Sequence, residues 1–167
     1  MIREIVLIAH NLRSTHNVGS LLRTAEGLGI QKVYLTGYTP YPLTQNDTRM
    51  PHLAAKLAKQ INKTALGAET SLQWEHVDDV ISVVSLLKAN GFEIIGLEQV
   101  NQAISLPDYT PTEKVAVLVG REVEGLEPEV VEACNKIVEI PMFGQKESFN
   151  VVQAAAMALY HCRFAVQ

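Results

Sequence analysis

Short apolar runs alternate with helix-like segments along almost the whole chain. Runs rich in valine, isoleucine and leucine, which suit strands buried on both faces of a parallel sheet, occupy residues 2–9, 32–36, 93–97, 115–119 and 136–140. Helical spacing with capping or stop residues predicts helices at residues 15–28, 51–61, 78–90 and 151–159. Residues 64–74 fit neither pattern. The alternation predicts a single α/β domain over residues 1–167, whose mostly parallel sheet carries helices on both faces.

The first predicted helix has a polar face with an arginine between glycines. Residues three and four apart share a helix face, so Gly19, Arg23 and Gly27 are expected to lie together, away from the apolar stripe. A guanidinium fork in such an open notch suits a phosphate or a carboxylate. The plain alternative is a surface ion pair between Arg23 and Glu26. Asn17, near the start of the helix, is either a cap or part of the same site.

Polar residues also follow two of the predicted buried strands. Gly120, Glu122 and Gly125 come directly after the strand at 115–119, and Ser148 and Asn150 precede the last helix. Ligands of open α/β sheets bind outside the carboxyl ends of the strands, so both loops are expected at a binding edge. Alternatively, Glu122 lies in a solvated turn, and Ser148 and Asn150 cap the last helix.

Composition narrows the possible partners. The chain has 167 residues, 47% of them apolar and 19% charged, with a formal net charge of -4. Such a chain is not a polycation, so RNA would have to meet a local basic patch. Cys134 and Cys162 form no disulfide framework or Cys-x-x-Cys pair, which favours a reduced, cytoplasmic setting. We expect no signal peptide and no membrane span.

Several common sites are missing from the sequence. No Gly-x-Gly-x-x-Gly fingerprint follows a predicted strand, and there is no Gly-x-x-x-x-Gly-Lys phosphate loop. The five histidines are scattered, and none pairs with an acid at metal-ligand spacing. These absences argue against an ordinary dinucleotide or P-loop enzyme, and we expect no metal.

Three ordered motifs resemble those of one family. They are Asn17-x-Gly19-x-x-x-Arg23, then Gly120-Arg-Glu122-Val-Glu-Gly125, then Ile140-Pro-Met142 followed by Ser148-Phe-Asn150. Together they look like the motifs of the SpoU (TrmH-like) branch of the SPOUT RNA methyltransferases. The resemblance covers nearly the whole chain, and three motifs in this order are far more specific than any one alone.

The resemblance implies a fold and a cofactor that composition could not reveal. The family has a carboxy-terminal trefoil knot, which ordinary chain-topology rules disfavour. It binds S-adenosylmethionine in the knot, mainly through backbone groups of three loops. The matching cofactor-binding positions in this chain are Leu97, Gly120, Ile140, Met142 and Ser148.

The resemblance also implies a reaction and a homodimer. The family transfers a methyl group to a ribose 2′-hydroxyl of RNA. Arg23 is then expected to engage the target phosphate and to help activate the hydroxyl, either as the base or by arranging its surroundings. Asn17, Glu122, Ser148 and Asn150 would position Arg23, the ribose and the cofactor. Arg23 would reach the cofactor pocket of the other subunit.

The sequence leaves alternatives open for the substrate and for the class of function. The resemblance favours tRNA over rRNA as the substrate, because relatives that act on rRNA often carry an extra amino-terminal RNA-binding domain and we expect none here. One alternative is a knotted module that binds RNA or cofactor without turnover, although such a scaffold would not need the polar motif residues. Another is a different α/β enzyme that binds a nucleotide at the same edge of the sheet.

Overall fold

The computed structural model describes residues 2–166 and places seven strands in one sheet. The strands are β1 (Glu4–His10), β2 (Lys32–Thr36), β3 (Trp74–Val77), β4 (Glu93–Leu97), β5 (Ile104–Ser105), β6 (Lys114–Val119) and β7 (Lys136–Glu139). All neighbouring strands pair in parallel, in the order β3-β2-β1-β6-β4-β7-β5. The carboxyl ends of all the strands therefore meet at one edge, where the predicted site loops begin.

Helices cover both faces of this sheet, as predicted. They are α1 (Thr15–Gly27), α2 (Pro51–Ala65), α3 (Ala68–Ser71), α4 (Val80–Ala89), α5 (Pro128–Ala133) and α6 (Val151–Phe164). Side chains alternate along each strand, so Ile5 and Leu7 of β1 pack with α1 and α6. Val6 and Ile8 pack with α4 and α5 on the opposite face. Both faces are buried, which explains why the strands are continuously apolar.

Helix α2 lies outside this layer and packs on α1. The spacing of Leu53, Leu57 and Ile61 predicted a helix over residues 51–61, and the helix is confirmed but continues to Ala65. Ile61 is fully buried, whereas Leu53 is 42% exposed. Gly19 of α1 permits the contact, because a Cβ there would overlap the Ile61 carbonyl oxygen and the Thr64 hydroxyl.

Several short elements escaped the sequence patterns. The sequence did not predict β3, β5, α3 or α5, which have between two and six residues each. Elements this short hold too few positions to establish a period. The predicted strands at the sheet centre are confirmed, whereas the trefoil knot stays a prediction. None of the helices within residues 2–166 combines the length and apolar character needed to cross a bilayer.

Candidate functional site at the carboxyl edge of the sheet

A pocket of about 330 Å³ opens at the carboxyl edge, between the loops that follow β4, β6 and β7. Leu97, Gly120, Ile140 and Ser148, four of the five predicted cofactor positions, line it. Met142, the fifth, is half-buried in the loop after β7 and lies outside the pocket wall. The volume of the pocket lies at the lower end of the range usual for small-molecule sites.

Gly120 has no room for a side chain. A Cβ at this position would lie 2.7 Å from Cδ2 of Leu126 and 2.8 Å from the carbonyl carbon of Gly125. The loop after β6 therefore turns back directly over the end of its own strand. Glycine at position 120 therefore permits this close packing of the loop, at a position that also lines the pocket.

Glu98 fastens this loop from the neighbouring strand. Its carboxylate accepts hydrogen bonds from the backbone N–H groups of Leu126, at 2.8 Å, and Gln99, at 2.9 Å. Gly125 has φ +69°, and a Cβ there would overlap Glu98 Oε2. Glu98 thus joins the loops after β4 and β6 into one pocket wall.

The pocket is rich in carboxylates. Its lining includes Glu98, Glu122, Glu124, Glu139 and Glu147, and among the described lining residues the only cation is Arg121. Carboxylates grouped around a cleft create a negative potential that attracts positively charged ligands. An anionic RNA would need compensating cations from outside this lining.

Residues from all three predicted motifs meet beside the pocket. Asn17 donates to Glu122 Oε1 at 3.2 Å and accepts a weaker bond of 3.4 Å from Asn150. The backbone N–H groups of Arg13 and Ser14 also point to the Glu122 carboxylate, at 3.5 and 3.4 Å. Glu122 is therefore held at the amino end of α1, where the helix dipole favours a negative charge.

The capping alternatives have different outcomes. Ser14 caps α1, because its hydroxyl accepts from the Asn17 N–H at 3.2 Å; the alternative in which Asn17 is the cap is therefore wrong. Asn150 does cap α6, accepting from the Val152 N–H at 2.9 Å. The same Asn150 side chain contacts Asn17, so capping and site membership coexist there.

Arg23 lies apart from this cluster. Its side chain is exposed on α1, and it is absent from the residues lining the pocket. Within residues 2–166 the side chain of Arg23 makes no hydrogen bond or salt bridge, so the alternative ion pair with Glu26 is not formed. The predicted notch is also wrong in part, because Gly19 is buried against α2 while Gly27 faces open space.

A second polar cluster, which the sequence did not reveal, lies where β1 and β2 end and contacts Glu127 after the β6 loop. Asn11, in left-handed backbone conformation at φ +55°, donates to Glu127 Oε1 at 2.9 Å and accepts from the Tyr38 N–H at 3.1 Å. His10 contacts the Thr36 hydroxyl at 2.9 Å and lies 3.3 Å from Glu127 Oε2. The cluster ties the ends of β1 and β2 to the loop after β6.

Burial and neighbouring charges shift the pKa values of His10 and Glu127 in this cluster. Burial lowers the pKa of His10, and the neighbouring Glu127 only partly offsets this. Burial acts to raise the pKa of Glu127, but its backbone hydrogen bond, the bond from Asn11 and the nearby His10 and Arg121 outweigh burial, so this pKa is lowered. The surroundings of the cluster thus favour the carboxylate form of Glu127, whereas burial favours the uncharged form of His10.

The chain matches a known family over most of its length. The profile of the family described as SpoU rRNA Methylase matches residues 4–160. The tRNA (guanosine(18)-2′-O)-methyltransferase of Aquifex aeolicus is 26% identical over 161 residues, which are 96% of this chain and 69% of that enzyme. TrmH family proteins of Staphylococcus aureus are 29% identical over 155 residues, covering 93% of this chain. This chain spans 56% of the length of those staphylococcal relatives.

Solved structures share the fold. An rRNA methyltransferase from Sinorhizobium meliloti, crystallised with bound AdoMet, superposes with a TM-score of 0.80 and 18% identity. The superposition covers 98% of this chain and 57% of the Sinorhizobium chain. It establishes the architecture of the sheet and helices.

Proposed function

Because this chain belongs to the SpoU rRNA Methylase family, we propose that it transfers a methyl group from S-adenosylmethionine to a ribose 2′-hydroxyl of RNA. The observation that carries the proposal is the hydrogen-bonded contact of Asn17, Glu122 and Asn150 beside the pocket. These residues come from three separate motifs, and a scaffold without turnover would not need them together. The Aquifex relative modifies tRNA, which favours tRNA as the substrate here.

The pocket fits the proposed cofactor by shape and by charge. S-adenosylmethionine carries a sulfonium and an ammonium, and the five carboxylates of the lining suit these positive charges. Leu97, Gly120 and Ile140 would hold it chiefly through their backbones, with Ser148 at the rim, and Met142 would act from the loop beyond. When bound, the cofactor supplies an electrophilic methyl group.

The polar residues beside the pocket would position the nucleotide. Glu122 is fixed by Asn17 and by the amino end of α1, so its carboxylate has a defined orientation. Asn150 is fixed in turn by Asn17 and by the start of α6. We assign these three residues and Ser148 to orienting the ribose, because a reacting hydroxyl must be held in line with the methyl group.

Arg23 would bind the phosphate beside the target ribose. Its guanidinium is exposed and makes no bond to any residue among 2–166, so both edges are available for a bidentate contact. By neutralising the phosphate, Arg23 would also stabilise the negative charge that develops on the attacking oxygen. Arg23 is absent from the lining of its own pocket, which supports action at a second pocket.

A homodimer would supply that second pocket. An apolar groove lined by α6 and the loops beside it borders the pocket and shares Ile140 and Phe149 with it. Tyr160, 59% exposed, and Met157 lie in this groove. A second copy seated there would cover an apolar surface adjacent to the cofactor site, and its Arg23 could complete that site.

We also propose the wider setting of this activity. The chain forms one methyltransferase domain over residues 1–167, with the trefoil knot enclosing the cofactor. The activity takes place in the cytoplasm, and the chemistry proceeds without a metal.

Two measurements test the proposal. Calorimetry should detect binding of S-adenosylmethionine and no comparable binding of NAD or ATP. Mass spectrometry of nucleosides from total RNA, with and without the gene, should reveal one 2′-O-methylated nucleoside that disappears with the gene and traces to tRNA. An unchanged nucleoside profile together with binding of NAD or ATP would refute the proposal in favour of a different α/β enzyme.

A further inference from the structure

Most cationic side chains of this protein are already paired. Of the fourteen Lys and Arg residues, eight bind carboxylates or backbone carbonyls: Arg3, Arg13, Lys32, Arg49, Lys114, Arg121, Lys136 and Arg163. Among residues 2–166 the side chains of the other six make no hydrogen bond or salt bridge; these are Arg23, Lys56, Lys59, Lys63, Lys88 and Lys146. Four of these six lie on the packed pair of helices α1 and α2.

Three of the unpaired cations form a row on α2. Lys56, Lys59 and Lys63 are three and four residues apart, so they share one face of the helix, and all three are exposed. Helix α2 contains no Asp or Glu. Like charges at this spacing repel one another and slightly destabilise the helix when nothing neutralises them. We call this group the lysine row.

Helix α2 packs on α1 through its second half. Thr15 at the start of α1 contacts Gln60 at 3.4 Å, and Gly19, one turn later, packs against Thr64 and Ala65, so the two helices run in broadly the same direction. The nine residues of α2 before Gln60, which include Lys56 and Lys59 and make about 13 Å of helix, therefore lie on the amino-terminal side of this contact. Their exposure agrees, because residues 51–56 are all exposed except Ala54.

Helix α2 meets α1 at the end that belongs to the candidate site. The amino end of α1 holds Glu122 and Asn17 beside the pocket, and Gln60 of α2 contacts Thr15 at this same end. An ordinary solvated helix face would explain exposed lysines, and Lys63 also suits the negative end of the helix dipole. Neither explains why the first two turns of α2 are exposed without acidic partners.

We propose that Lys56, Lys59 and Lys63 bind the phosphate backbone of the substrate RNA. This inference rests on the proposed function, since the partner is the RNA whose ribose is methylated. The lysine row would supply the positive charge that the carboxylate-rich pocket and the net charge of -4 lack. Lysine contacts to phosphate are insensitive to sequence, so they would hold the RNA while the site selects the nucleotide.

The test is RNA binding by a triple variant, Lys56→Gln, Lys59→Gln and Lys63→Gln. Glutamine has nearly the helix propensity of lysine, so α2 should remain folded, as circular dichroism would verify. The probe is unfractionated tRNA from cells lacking the gene, measured by filter retention over a range of salt concentrations. We expect affinity to fall on the order of tenfold, and the slope of log affinity against log salt to decrease by about 2. S-adenosylmethionine affinity should be unchanged.

Single variants provide a matched control. Lys59→Gln and Lys88→Gln each remove one exposed, unpaired lysine, but Lys88 lies on α4, on the opposite face of the sheet. Lys59→Gln should reduce the salt slope by about 0.7 to 0.9, and Lys88→Gln should leave it unchanged. Equal effects of the two variants would mean that only total charge matters and would overturn the assignment.

The outcomes separate this inference from the proposed function. If the wild-type protein is active and the triple variant binds and methylates tRNA equally well, the RNA-binding role of the lysine row is refuted and the proposed function stands. A wild-type protein that transfers no methyl group, yet loses RNA binding in the triple variant, would overturn the proposed reaction and support the surface. Loss of binding to anionic lipid vesicles, with RNA binding intact, would assign the row to a membrane surface and overturn the proposal.

Discussion

The side chain of Asn17 donates a 3.2 Å hydrogen bond to Glu122, across 105 residues of sequence. The bond joins the start of α1 to the loop after β6, so the helix that carries Arg23 and the loop that forms the pocket wall are held together. Glu122 also accepts from backbone N–H groups at the amino end of α1. We expect the contact to serve activity more than stability, because it is partly solvent-exposed.

Glu122→Ala tests that expectation. Loss of a carboxylate at a helix amino end should lower the free energy of unfolding by only about 0.5 to 1 kcal/mol. Methyl transfer should fall at least about tenfold, which corresponds to about 1.4 kcal/mol of transition-state free energy. Glu129→Ala, which removes an exposed carboxylate of α5 that does not line the pocket, is the control and should keep near wild-type activity. Equal activity loss in both variants would contradict a specific role for Glu122.

Arg23→Ala should abolish most activity while leaving the fold intact. Arg23 has no partner among residues 2–166, so its truncation should not change thermal stability. If it binds the target phosphate, the loss should be on the order of 3 kcal/mol, roughly a hundredfold in single-turnover rate. Cofactor affinity should stay the same, since Arg23 does not line the pocket. Glu26→Ala is the matched control, and a normal rate in Arg23→Ala would refute the assigned role.

Gly120→Val should block cofactor binding. A Cβ at Gly120 would come within 3.0 Å of the Gly125 backbone, so the loop after β6 would have to move out of its position over the pocket. Calorimetry should find S-adenosylmethionine affinity reduced by at least about tenfold, or about 1.4 kcal/mol. Gly144→Val, at a position with open space around it, should bind normally. Unchanged affinity in a folded Gly120→Val protein would invalidate the pocket assignment.

Stability should fall in mild acid because of His10. Burial lowers the pKa of His10 in the folded state from its usual 6.5. Below pH 6.5 the unfolded chain therefore binds more protons than the folded one, so the free energy of unfolding is full above this pH and declines as the pH falls toward the folded pKa. Urea titrations between about pH 7.5 and about pH 5.5 should record the decline. His10→Gln should flatten it, whereas His52→Gln, at an exposed position, should not.

Tyr160→Asp should separate the proposed dimer. A charge in the apolar groove beside the pocket would have to be desolvated on association, which costs several kcal/mol in a buried setting. Sedimentation should then find a folded monomer with little activity. Leu86→Asp is the control, because Leu86 is comparably exposed, at 52%, but lies on α4. An active monomeric wild-type protein at assay concentration would rule out the shared site.

The sequence by itself determined the sheet and the family. The central strands are buried on both faces, so their apolar runs were continuous and unambiguous, and β2 and β4 begin and end where predicted. Three motifs in order identified the SpoU branch, which the family match confirms. The strands could be predicted because burial on both faces requires a continuous apolar run, which is visible in the sequence itself; the family followed from the resemblance of the three motifs.

Only the tertiary structure decided which side chains meet. Three sets of contacts join residues at least 26 positions apart. They are the link from Asn150 through Asn17 to Glu122, the bond from Glu98 to the loop after β6, and the cluster around His10 and Glu127. No local period encodes such contacts. The role of Gly19 was misjudged for the same reason, since its small size serves packing between α1 and α2 rather than space beside Arg23. The direction of α2, and with it the position of the lysine row, likewise follows from how one helix rests on another.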